Sequence, residues 1–108
     1  MEKILIKLGL SKDEAKILAY LMKKGKATAR ELELNLEMRQ PQVSMATKRL
    51  IDKGYISKKT IKKRGKGRPP HIYHVNKKDI IEKLKEQIAN KIEEYEEMLR
   101  DVVMSGRG

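Results

Sequence analysis

The sequence predicts a mainly α-helical fold with one small β-hairpin and a long C-terminal helix, on three observations. Two capping signatures, Ser11-Lys12-Asp13-Glu14 and Thr28-Ala29-Arg30-Glu31, each precede apolar residues at helical spacing. Two β-prone runs flank the glycine-rich cationic stretch Arg64-Gly65-Lys66-Gly67-Arg68-Pro69-Pro70. From Ile81 to Val102, apolar side chains recur every three or four residues.

Met1 to Leu8 sets Ile4, Leu5 and Leu8 on one side of a first helix, and Gly9 supplies a left-handed residue to close it. Ser11 and Glu14 satisfy orphaned amides at the start of a second helix, which turns Ile17, Leu18 and Leu21 inward and ends at Lys23-Lys24-Gly25. Ala27 and Thr28 form a brief strand before a short third helix with Ala29, Leu32 and Leu36 on its apolar side. Asn35 to Met38 is the turn, with Asn35 as the residue suited to unusual backbone angles. Pro41 marks the next helix start, with Gln40 at the cap, because a first-turn proline loses no hydrogen bond. Val43, Ala46, Leu50 and Ile51 form its buried stripe, and Gly54 ends it.

Two capped helices joined by a tight turn are a helix-turn-helix pattern. Tyr55 to Lys63 and His71 to Val75 then make a hairpin of the kind called a wing. The charge is concentrated here: between Arg39 and Lys78 there are thirteen Lys and Arg against one acid, Asp52, a net of +12 in a chain whose total is +11. Clustered cations of this kind neutralise clustered phosphates and release their counterions, so the segment is a candidate nucleic-acid surface. On the second helix of the pair, residues 40 to 53, Gln40, Gln42, Ser44 and Met45 are the candidate base readers. Glutamine pairs with adenine through two hydrogen bonds, and a thioether packs on a thymine methyl. Lys48, Arg49, Lys53, Lys58, Lys62 and Lys63 are assigned to phosphate. Arg64, Lys66 and Arg68 of the wing, residues 62 to 71, are assigned to the minor groove or backbone, since Lys66-Gly67-Arg68-Pro69 differs by one conservative change from the Arg-Gly-Arg-Pro core of minor-groove peptides.

From Asp79 to Gly108 eight acids face five bases, a net of −3, and Ile81, Leu84, Ile88, Ile92, Tyr95, Leu99 and Val102 recur in steps of 3, 4, 4, 3, 4 and 3. One amphipathic helix of about 25 residues, roughly 37 Å, carries that stripe. A stripe too long for a small domain to cover meets another chain, so these seven residues are the expected homodimer interface. The expected organisation is a helix-turn-helix domain over 1–77, a dimerisation helix over 78–104 and a frayed tail over 105–108.

Composition excludes several function classes. There is no Cys, hence no disulfide, thiolate metal site or thiol switch. His71 and His74, three apart on a strand, point to opposite faces and are not expected to share a metal. With no phosphate-cradling loop and no nucleophile beside a plausible His and acid, neither catalysis nor a cofactor is expected. Glu93, Glu94, Glu96 and Glu97 are an exposed, solvated run. Four Tyr are the only aromatics, too few for the stacking platforms of single-strand readers, so duplex DNA is the expected partner. The N-terminal apolar run is too short for a signal peptide and no stretch approaches a membrane span, so a cytoplasmic location is expected.

Leu8-Gly9-Leu10-Ser11 with Glu14-Ala15, the block Gly25 to Leu32, Val43 with Leu50-x-x-Lys53-Gly54-Tyr55-Ile56, and Gly67-Arg68-Pro69 with Tyr73 resemble the N-terminal domain of TrmB-type archaeal regulators, close relatives of the MarR-like winged helices. The resemblance covers about Ile4 to Ile80 and implies a winged helix-turn-helix that binds promoter DNA as a dimer. TrmB proteins continue into a sugar-binding domain; these 108 residues do not include it, so sugar sensing is not expected to carry over, and no effector ligand is assigned. The expected function is therefore a homodimeric, sequence-specific transcriptional regulator. Two other readings stay open: an architectural chromatin protein with little sequence preference, and a winged-helix protein-protein module of the transcription machinery.

Overall fold

The computed structural model describes residues 1–60 and 71–106. Its elements run α1 (Glu2–Lys7), α2 (Lys12–Lys24), β1 (Lys26–Thr28), α3 (Ala29–Asn35), α4 (Gln40–Asp52), β2 (Ser57–Thr60), β3 (His71–His74) and α5 (Lys77–Ser105). The protein is thus mainly helical with a small antiparallel sheet, as the sequence predicts. The chain divides into two compact units, Met1–Lys77 and Lys78–Gly108.

In the first unit α2 packs on α1 and α4, and α3 packs on α4. Leu5, Ile17, Leu18, Leu21, Leu32 and Leu50 are fully buried at its centre. Each fully buried aliphatic side chain of this kind stabilises the fold by roughly 1.5–3 kcal/mol before entropy is counted. The Ser11 hydroxyl accepts from the Glu14 amide at 3.2 Å and the Thr28 hydroxyl from the Glu31 amide at 3.1 Å, so both capping signatures start helices. The sheet order is β1-β3-β2, with Ala27 opposite Tyr73 and Lys58 opposite Tyr73 on its other side. Tyr73 and Ala27 face the core from the same side of the sheet.

Three helices end by one device. After α1, α3 and α4 the amides of Leu10, Met38 and Tyr55 reach back five residues, to the carbonyls of Leu5, Glu33 and Leu50, at 3.1, 3.0 and 2.9 Å. Those three side chains are themselves buried, so each turn is closed by a hydrogen bond and an apolar contact together. The closure needs a left-handed residue one place earlier. Gly9 (φ 105°) and Gly54 (φ 81°) supply it twice, and Glu37 (φ 52°) supplies it in the turn between α3 and α4. The left-handed residue there is therefore Glu37, not Asn35. Asn35 completes α3 and donates from Nδ2 to the Tyr20 hydroxyl at 3.2 Å and the Glu31 carbonyl at 3.0 Å. Because a side chain with a Cβ is strained at positive φ, Glu37→Gly should raise the stability to urea unfolding by about 1 kcal/mol. A loss on that substitution would contradict the turn geometry.

Other boundaries differ in detail. Arg39 caps α4, which moves Gln40 into the first turn and Pro41 one place further in, where its missing amide still costs nothing. Ile4 is exposed although it shares a helical spacing with buried Leu5, because six residues offer only one face to α2. Tyr55 and Ile56 are buried ahead of β2 rather than within it. Thr47 joins the buried stripe of α4, its hydroxyl donating to the Val43 and Ser44 carbonyls at 2.7 and 3.1 Å, which removes the cost of burying it.

The second unit is the helix α5. It is 29 residues long, begins one residue before the expected start and includes Ser105. Ile81, Ile88, Ile92, Tyr95, Leu99 and Val102 of the expected stripe are exposed, Leu84 is half-buried, and Ile80, outside the stripe, is buried. Among the described residues no helix is long and apolar enough to cross a membrane.

Candidate nucleic-acid interface

One face of α4 is buried, and the opposite face carries the residues with recognition chemistry. Val43, Ala46, Thr47 and Leu50 turn inward, and Gln40, Gln42, Ser44, Met45, Lys48 and Arg49 are exposed. Ser44, Met45, Lys48 and Arg49 line one shallow depression with Pro41 and Asp52. Ser44 and Lys48 also share a groove with Ser57 and Lys58 of β2 and with Tyr73. Strand alternation explains why Lys58 is there: opposite Tyr73, it projects to the α4 side of the sheet. Lys59, opposite Ile72, projects to the other side and lines a separate depression with Lys26 and His74. The His71 ring nitrogen Nδ1 lies 3.1 Å from the Thr60 hydroxyl across the hairpin. No group of His, Asp or Glu among the described residues is arranged to hold a metal ion.

Two of the expected contact residues have partners within the protein. Gln42 Oε1 accepts from the Arg39 backbone amide at 2.8 Å, closing the first turn of α4. Pairing with adenine through two bonds uses that same oxygen, so the cap occupies one of its two lone pairs and fixes the direction of the side chain. Gln42→Glu separates the two uses: a carboxylate still caps, and does so beside the positive helix end, but it cannot donate to a purine nitrogen. The expected outcome is unchanged stability with an altered base preference, read by competition binding against single-base variants of a bound site. An unchanged preference would leave Gln42 as a cap alone.

Lys53 is the second. Its ammonium donates to Glu14 Oε2 at 2.7 Å, tying the end of α4 to the start of α2. Burial pushes the Glu14 carboxyl up, but hydrogen bonds from Lys53 and Ser11 and the Lys53 charge outweigh it and hold the group below its ordinary value of 4.5. Tyr55, beside them, is raised by burial and then by the Glu14 charge, so its hydroxyl keeps its proton. A lysine counted among phosphate contacts is thus a tie between helices. Its side chain is 42% exposed and Glu14's is 3% exposed. Lys53→Met should therefore cost about 2 kcal/mol at neutral pH, under the roughly 3–5 kcal/mol of a fully buried pair. Since the folded carboxyl titrates below the unfolded one, ionised Glu14 stabilises the fold above pH 4.5 and that contribution is lost as pH falls through the folded value. The gap between parent and Lys53→Met in urea unfolding should accordingly shrink in acid; a gap independent of pH would contradict the assignment.

Lys62, Lys63, Arg64, Lys66 and Arg68 lie outside the described residues.

The family model described as the sugar-specific transcriptional regulator TrmB matches residues 5–79, well over half of the chain. The chain belongs to the TrmB family. No curated protein sequence matches it. Solved structures of similar fold include a MarR transcriptional regulator from Methanosarcina mazei Go1 (TM-score 0.60, 15% identity, 96% of this chain and 83% of that one). They also include YusO from Bacillus subtilis (TM-score 0.59, 19% identity, 97% and 78%). A third is a transcriptional regulator homologue from Pyrococcus horikoshii OT3 (TM-score 0.58, 13% identity, 86% and 97%). These likenesses show a winged-helix fold, and the family match makes the chain a transcriptional regulator of the TrmB type.

Proposed function

We propose that this TrmB-family regulator binds double-stranded DNA sequence-specifically as a homodimer, with α4 entering the major groove and the wing reaching the minor groove or backbone. One observation carries the reading: the exposed face of α4 places Ser44 and Met45 beside Lys48 and Arg49, so base-reading and phosphate-binding chemistry share one surface. Lys58 extends that surface onto the sheet, and Lys62, Lys63, Arg64, Lys66 and Arg68 continue the same charge in the sequence. Dimerisation through α5 presents the surface twice, as a two-fold site requires. The residues 1–77 act as the DNA-binding part and 78–104 as the dimerisation part.

The test is the ratio of affinity for a selected duplex to affinity for random duplex at physiological salt. A regulator gives roughly 10³ or more. A ratio near one would replace this reading with that of an architectural protein coating DNA, which draws on the same cations. Undetectable duplex binding even at low salt would favour a protein-protein module.

A further inference from the structure

The exposed stripe of α5 has an internal symmetry. Ile81, Leu84 and Ile88 precede Lys91 by 10, 7 and 3 residues, and Val102, Leu99 and Tyr95 follow Ile92 by 10, 7 and 3. Six of the seven stripe residues are therefore symmetric about the Lys91–Ile92 bond, and the seventh, Ile92, has Lys91 as its mirror position. The step of four between Ile88 and Ile92, an irregularity in a heptad repeat, is what creates that symmetry.

The charges break the helix at the same point with opposite signs. Residues 77–91 hold five Lys against Asp79, Glu82 and Glu86, a net of +2. Residues 92–105 hold Glu93, Glu94, Glu96, Glu97 and Asp101 against Arg100, a net of −4. In a parallel, in-register pair the acidic run of each helix lies beside its own copy, and like charges repel. In an antiparallel pair each acidic half lies beside a basic half.

We propose that α5 pairs antiparallel with α5 of a second copy of this chain, with the two-fold axis at the Lys91–Ile92 bond. This rests on the homodimer reading and adds to it the orientation and register of the interface. Ile81 then meets Val102 of the second copy, Leu84 meets Leu99, and Ile88 meets Tyr95, each apolar layer appearing twice. Lys85 flanks the seam near Glu96 of the second copy. It exchanges for that contact only the exposed pair it makes with Glu82 on its own helix at 3.5 Å, which contributes little. Lys91, paired with Glu94 at 3.4 Å, lies half-buried at the axis.

The absence of Cys from the chain makes cross-linking a direct test. Full-length Leu84→Cys and Leu99→Cys are prepared singly and co-expressed, then mildly oxidised. In the proposed register residue 84 lies beside residue 99 of the second copy, whereas like positions are about 15 residues, roughly 22 Å, apart along the axis, beyond disulfide reach. The expected result is a cross-linked dimer from the co-expressed pair and none from either variant alone. Cross-linking of each variant with itself would show a parallel pair, overturning the orientation and leaving the homodimer intact. A dimer by sedimentation with no cross-link in any sample would place the interface elsewhere. A monomer by sedimentation would remove the homodimer reading itself.

Discussion

Replacing Lys48 and Arg49 together with alanine should make the salt dependence of duplex binding shallower by about 3.6 units of slope, taking two phosphate contacts per protomer, four per dimer, at about 0.9 each. Affinity at low salt should fall on the order of 10²-fold or more, almost equally for selected and random duplex, because phosphate contacts carry no sequence information. The fold should be untouched. Both side chains are exposed on α4, and neither takes part in an ion pair among the described residues. They differ in this from Lys53, whose removal should lower stability through Glu14. A full set of measurements therefore separates two lysines five residues apart: one alters the salt slope at constant stability, the other alters stability. An unchanged salt slope in the Lys48, Arg49 double variant would remove α4 from the interface.

The second large effect is expected in α5. Ile88→Asp with Leu99→Asp places one carboxylate in each half of the stripe, and both parent residues are already exposed, at 43% and 64%. Helix content should change little, since neither side chain contributes to a core within the chain. Sedimentation should report a monomer at micromolar concentration, because a charge left unpaired in an apolar seam costs several times the energy of the contact it replaces. With the link between binding sites gone, affinity for a duplex carrying two half-sites should fall by roughly 10²–10⁴, while affinity for a single half-site stays near the parent value. Persistence of the dimer would show that the stripe is not the interface.

The helical framework was legible because its signals are local. Ser11 and Thr28 announce helix starts within four residues, and Gly9 and Gly54 announce two of the three helix ends. Glu37 was not legible, because a glutamate carries no mark of positive φ; the fold imposes it by burying Met38. The sheet order was not legible either, since β1 is three residues long and its partner β3 lies more than forty residues on. At the interface, periodicity separated most of the buried face of α4 from the exposed one, but it left out Thr47, whose hydroxyl is satisfied by its own helix, and it counted half-buried Ile51 as core. It gave no sign that Gln42 caps its own helix or that Lys53 is held by Glu14, because each had a sufficient local explanation, one as a polar surface residue and the other as part of a basic run. Distance in sequence hid the ion pair, and only packing of α2 on α4 brings its halves together.

On the proposed function, the exposed face of α4 reads duplex sequence from two symmetry-related copies. Selecting bound sequences from a random duplex library puts both halves of that proposal to one experiment. The expected result is a two-fold symmetric motif whose half-sites lie one helical turn, about 10–10.5 base pairs, or a multiple of it, apart. Recovery of sequences with no enriched motif, from a protein that binds the library tightly, would contradict it.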